Sequence, residues 1–113
     1  MSVTDRIFGI HGNALQVRQQ RMNLIASNIA NSATPGYKAR DIDFREALGR
    51  AQQGQHIDSA VRYRTPMQTS MDGNTVELVN EQVEYAENAL AYRASLEFLK
   101  GRVSTLTRAL KGE

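Results

Sequence analysis

Ser27-Asn28-Ile29-Ala30-Asn31-Ser32-Ala33-Thr34-Pro35-Gly36-Tyr37 ends a long run of periodic apolar residues, and the manner of that ending decides the fold. Thr34-Pro35-Gly36-Tyr37 has proline where a type II turn fixes a negative φ and glycine where it needs a positive one, so a tight reversal is specified. Proline also disfavours helix at Thr34, which sets the end of the preceding helix near Asn31. Asn28 and Asn31 lie one turn apart on one face of that helix. Each amide can cap an orphaned carbonyl or bond a neighbouring segment.

Upstream of this stop, Phe8, Leu15, Met22 and Ile29 recur in a seven-residue step, with Ile7 and Ile25 widening the same side. Residues 4 to 31 are therefore predicted as an amphipathic helix about 40 Å long. Ile10, Val17 and Leu24 repeat with the same period elsewhere on the cylinder, so the helix is expected to have two partners.

Downstream, Lys38 to Phe44 alternates charged and apolar residues and is predicted as a short extended segment, followed by one or two helical turns over 45 to 51. Residues 52 to 71 are polar and lack sustained periodicity, which predicts a loop whose one plausible strand is Val61-Arg62-Tyr63-Arg64-Thr65. So long a structureless excursion usually signals function or order gained on binding. Asp72-Gly73-Asn74 is a second turn, and Asn74 or Thr75 can cap a final helix over 76 to 110, about 50 Å long. Along it Val76, Val79, Val83, Ala86 and Leu90 form one stripe, and Leu96, Leu99, Val103, Leu106 and Leu110 form another. The predicted fold is mainly α, one domain over 1–113. Its long N- and C-terminal helices form an antiparallel coiled-coil-like pair, joined across residues 32–75 by a turn and an extended, irregular segment with at most short strands. Because the second helix is longer, the pair leaves apolar surface for something else to cover.

Composition narrows the function. At 113 residues the chain is short for an enzyme pocket between two lobes, and 6% aromatic residues without tryptophan make a lean core, so part of its apolar surface is expected to be buried by partners. The absence of cysteine excludes disulfides and thiolate metal sites. No cleavable secretory signal and no apolar run of the roughly 20 residues needed to cross a bilayer are visible. Charge is segregated: residues 72 to 90 carry only acids and 91 to 111 five bases against Glu97, the order a helix dipole favours.

No catalytic, cofactor or metal site is predicted. His11 and His56 have no carboxylate pattern around them, and no glycine-rich phosphate loop or nucleophile elbow exists. Asp41, Asp43 and Glu46 are expected to pair with Lys38, Arg40 and Arg45 rather than to do acid–base chemistry. Arg18 and Arg21 permit an RNA-binding or small helical-hairpin adaptor alternative, but no concentrated basic face with stacking aromatics supports it.

Asn28-Ile29-Ala30-Asn31-Ser32-Ala33-Thr34-Pro35-Gly36-Tyr37, continued by Lys38-Ala39-Arg40-Asp41-Ile42-Asp43-Phe44 and by Asp72-Gly73-Asn74-Thr75-Val76, resembles the bacterial flagellar rod, hook and hook-associated family over about two thirds of the chain. The resemblance implies a non-enzymatic structural subunit without cofactor, polymerising through its terminal helices in the proximal rod of the basal body, the drive shaft that transmits motor torque. It implies as partners other copies, other rod proteins, the rod adaptor FliE and the MS-ring. It further implies export by the flagellar type III apparatus without a cleaved signal into a periplasmic rod, with no nucleic acid bound and no direct membrane insertion. Ile7, Phe8, Leu15, Met22, Ile25, Leu96, Leu99, Val103 and Leu106 are then the candidates for helix association. Asn28, Asn31, Thr34, Pro35, Gly36 and Tyr37 are the candidates for fixing the exit of the chain.

Overall fold

The computed structural model describes residues 3–66 and 71–112, with side chains from Gly9 onward; Ile7 and Phe8 lie outside the described side chains. In order, α1 is Val3–Ala30, β1 Arg40–Ile42, α2 Phe44–Gln52, a 3-10 turn Ile57–Ala60, β2 Val61–Tyr63 and α3 Leu78–Lys111. The long terminal helices run antiparallel: Asn28 meets Glu81, Arg21 meets Glu84, Asn88 meets Arg18, and His11 meets Phe98, so numbers rise on one helix as they fall on the other. The result is a rod of 64 × 25 × 18 Å.

The middle segment is more ordered than its composition predicts. β1 and β2 pair antiparallel, with Arg40 opposite Tyr63 and Ile42 opposite Val61. Asp43 caps α2 by accepting the Glu46 amide at 3.1 Å. Ile42, Ala47 and Ala60 bury against Val17 and Leu24 of α1, with Phe44, Ala51, Ile57 and Val61 around them. The second stripe of α1 is thus covered at Val17 and Leu24 by Ile42 of β1, Ala47 of α2 and Ala60 of the 3-10 turn, while Ile10 stays 43% exposed. Arg18 adds a stacked contact, its guanidinium 4.4 Å from the Phe44 ring. A polar segment was ordered because a few small apolar residues, too sparse for a periodic signal, all face one helix.

α3 inverts the usual rule of amphipathic packing. Over its first half, the side turned to α1 buries Glu81 and Asn88, while Val79 and Leu90 are 75% and 70% exposed and Val83 48%. In its second half the apolar residues move to the side that α1 would cover. The register of the His11–Phe98 and Asn28–Glu81 contacts brings the start of α1 level with Leu106, and residues 101 to 110 are exposed throughout. No helix among the described residues is long and apolar enough to cross a membrane.

Candidate functional site

The corner at residues 27–37 is built as its sequence specifies. Helical bonding tightens through Asn31 and Ser32, and the Tyr37 amide donates to the Thr34 carbonyl at 3.2 Å across Pro35 and Gly36. Gly36 has φ of 75°, the positive angle that a type II turn needs at that position. Asn31 donates to the Ser27 carbonyl at 2.8 Å and accepts from the Thr34 hydroxyl at 3.1 Å, so it caps its own helix. Ser27 and Tyr37 hydroxyls lie 3.2 Å apart. Thr34, Pro35 and Gly36 are exposed at the tip.

Asn28 does something different from Asn31. Fully buried, it donates to the Arg40 carbonyl at 2.7 Å and accepts from the Arg40 amide at 3.1 Å, standing in for a strand residue beside β1. Its amide also donates to Glu81 at 3.1 Å. One side chain of α1 therefore holds both the returning chain and α3.

Asn74, expected as a helix cap, instead fastens the corner from outside. Its amide nitrogen faces the carbonyls of Asn31, Ser32 and Thr34 at 2.9, 3.2 and 2.7 Å, filling the orphaned end of α1. Its oxygen accepts from the Val76 amide at 2.7 Å. Thr75 likewise turns away from α3 and accepts from the Ala39 amide at 2.7 Å; the residue at the start of α3 is Glu77, which makes no side-chain cap. Backbone bonds from Gly36 to Asp72 and from Thr75 to Tyr37 complete the seam between the two turns.

Beneath the corner lies an ionic cluster. Arg21 grips Asp41 with two hydrogen bonds of 2.9 and 3.1 Å and reaches Glu84 at 2.5 Å. Arg64 bridges Asp41, at 2.5 Å, and the buried Glu81. Burial opposes charge on Asp41, but hydrogen bonds from Arg21, Arg64 and the Ile42 amide outweigh it and hold the pKa below the ordinary carboxylate value. The same balance raises the pKa of both arginines, burial lowering it and the Asp41 bonds prevailing. The expected partners of the carboxylates were wrong. Asp41 pairs with Arg21 and Arg64, Glu46 with Arg50 and Arg62, and Lys38 donates to the Gly73 carbonyl.

Of the residues expected to associate the helices, Ile25 is fully buried, Leu15, Met22, Leu96 and Leu99 are half-buried, and Val103 and Leu106 are 51% and 37% exposed. Sequence inspection missed Arg21, Arg64, Glu81 and Asn88 as organising residues. One signal was available: Glu81 and Asn88 are seven apart on one face of α3, opposite its apolar stripe.

Residues 8–38, from α1 through the turn to the chain held by Asn28, match the family model described as Flagella basal body rod protein, the class that this helix and corner define. The chain is 48% identical to the flagellar basal body rod protein FlgB of Cereibacter sphaeroides over 93% of its length and 94% of the relative's. It is 44% identical to FlgB of Aeromonas hydrophila, covering 96% of each chain, and 37% identical to FlgB of Escherichia coli, covering 87% of this chain and 88% of that one. The chain belongs to the FlgB family of flagellar basal body rod proteins, structural subunits of the rod.

Proposed function

We propose that the chain is a subunit of the proximal, periplasmic rod. It polymerises through its terminal helices, and torque passes through many lateral contacts rather than through one site. The observation that supports this most directly is the inverted α3, which spends polar side chains on its own α1 and keeps Val79, Val83 and Leu90 outward, uncovered by the described residues and open to another chain. On this reading Leu15, Met22, Ile25, Leu96, Leu99, Val103 and Leu106 take part in helix association within or between subunits, with Ile7 and Phe8 extending the surface. The corner residues Asn28, Asn31, Thr34, Pro35, Gly36 and Tyr37 set the direction in which the middle segment leaves the pair.

The reading extends to the neighbours. The subunit contacts other rod proteins, the adaptor FliE and the MS-ring, and reaches the rod through the type III export apparatus without a cleaved signal. It catalyses no reaction, needs no cofactor, and engages neither nucleic acid nor the bilayer directly. Gly36→Val tests the corner. A β-branched residue at φ of 75° is strained, so the variant is expected to be expressed yet to give no rods and no motility. Normal motility of that variant would refute the role of the turn.

A further inference from the structure

The two long helices turn matched faces outward. On α1, Arg21 and Asn28 point to α3, where they meet Glu84 and Glu81. Gln19, Asn23, Ala26 and Ala30 stand two residues to either side of them, about 200° around the helix, and all four are exposed. On α3, Glu81 and Asn88 are buried toward α1, and Val79, Val83, Ala86 and Leu90 stand two residues to either side of them, exposed in the same way. Both outer rows therefore step by four, three and four residues. They also lie at one height. Asn28 is level with Glu81 and Arg18 with Asn88, so residues 19 to 30 and 79 to 90 occupy the same stretch of the molecule, on opposite sides of it.

The α1 row differs from the other exposed surfaces in carrying no charge. From Gly9 to Ala30 the exposed residues of α1 are glycine, isoleucine, glutamine, asparagine and alanine. By contrast α2 exposes Arg45, the hairpin Arg40 and Arg62, and the second half of α3 Arg93, Lys100, Arg102 and Arg108. An apolar stripe strips water from whatever it covers, which is costly for a charge. The cost is small for alanine and for amides that bond each other, as Gln19 and Asn23 do at 3.4 Å. Among the described surfaces of a second copy, the α1 row is the one suited to cover Val79, Val83 and Leu90.

We propose that the 79–90 stripe of one copy packs side by side on the Gln19, Asn23, Ala26 and Ala30 row of a second copy, with Arg93 of the first reaching Asp58 of the second. This rests on the reading of the chain as an assembly subunit and specifies which surfaces of two copies meet. Copies related by rotation about the long axis of the molecule keep one polarity, so the contact runs antiparallel, like the pair within one chain, with little shift along the axis. Val79 then seats between Ala26 and Ala30, Val83 between Asn23 and Ala26, and Ala86 between Gln19 and Asn23, as knobs into holes. One turn beyond Leu90 on the same row stands the exposed Arg93. Near that level of α1, a cleft of about 370 Å³ opens between Gln16, Gln19 and Gln20 and residues 55–58, and its one acid is the exposed Asp58. No salt bridge among the described residues holds either Arg93 or Asp58. The two rows are different faces, so each copy gives its stripe to one neighbour and its α1 row to another, and the contact closes a ring or climbs a shallow helix.

The chain has no cysteine of its own, so introduced pairs report cleanly. Two double variants, Asn23→Cys with Val83→Cys and Ala30→Cys with Val79→Cys, place one thiol on each row. Within one chain these thiols point apart across helix axes already about 8–10 Å from each other, beyond the span of a disulfide, so any bridge joins two copies. In basal bodies purified from cells making these chains, oxidation is expected to give a ladder of dimer, trimer and larger species, and each single cysteine only monomer. Arg93→Glu in the laddering variant should cut the ladder several-fold, and Asp58→Arg added to it should restore the bands; a ladder indifferent to Arg93→Glu would refute the ion pair. A dimer from Val83→Cys alone would mean stripe on stripe about a two-fold axis and would overturn the contact. Double variants incorporated into basal bodies yet monomeric would overturn it and leave the rod reading intact, and protection of their thiols from a maleimide would then assign the rows to a different rod protein. A ladder from the concentrated purified chain, with none of the chain in basal bodies, would uphold the contact and refute the rod reading. No ladder in either setting would refute the contact.

Discussion

Two asparagine amides do at the corner what strands and caps do elsewhere. Asn28 replaces a missing strand beside Arg40, and Asn74 supplies donors to an orphaned helix end. Both are buried, so truncation strands polar groups without water to satisfy them. Asn74→Ala is expected to destabilise the chain by about 2 kcal/mol, read as a lowered urea midpoint. Asn74→Asp should cost more, because a carboxylate would face three carbonyls. The turn was legible from Pro35 and Gly36 because its chemistry is local. Asn74 was not, since an asparagine ahead of a helix carries the same local signal whether it caps that helix or reaches a carbonyl forty residues upstream.

Among elements, the ionic cluster ties α1, β1, the segment after β2 and α3 together, and its members differ sharply in worth. Arg64→Met leaves Glu81, fully buried, without its cation and is expected to cost about 3 kcal/mol. Arg62→Met removes an exposed pair with Glu46 and should cost under about 1 kcal/mol. A comparison of the two urea midpoints checks the ranking. The cluster also sets acid stability. With the Asp41 pKa depressed by folding, its contribution is fully present above its unfolded value of about 4 and is lost as pH falls through the lower folded value. The urea midpoint should therefore decline below about pH 4, and Asp41→Asn should be less stable at pH 7 with a flatter acid limb. The two long helices were legible from their apolar periodicity, a seven-residue step in α1 and three-four spacing in α3, and their pairing from the family resemblance. The pairing of charges was not, because Arg21, Asp41, Arg64 and Glu84 come from separate elements, and proximity in sequence favoured Lys38, Arg40 and Arg45 instead.

At the scale of the whole molecule, a 64 Å rod keeps much of the apolar surface of its longest helix on the outside. That surface contributes little to the fold of a single chain and is open to contacts between chains. Val79→Asp and Val83→Asp should each change the urea midpoint by less than about 0.5 kcal/mol equivalent, as surface substitutions do, while blocking incorporation into basal bodies. The change of face along α3 was visible in sequence as two stripes. Which stripe the chain uses itself was not, because polar Glu81 and Asn88 take the inner face and find partners only in the folded molecule. The most direct test is the accessibility of a single cysteine at Val83→Cys to a maleimide dye, in the free subunit and in purified basal bodies. Ready labelling of the free chain with protection in the basal body is the predicted result; equal labelling in both would contradict the account.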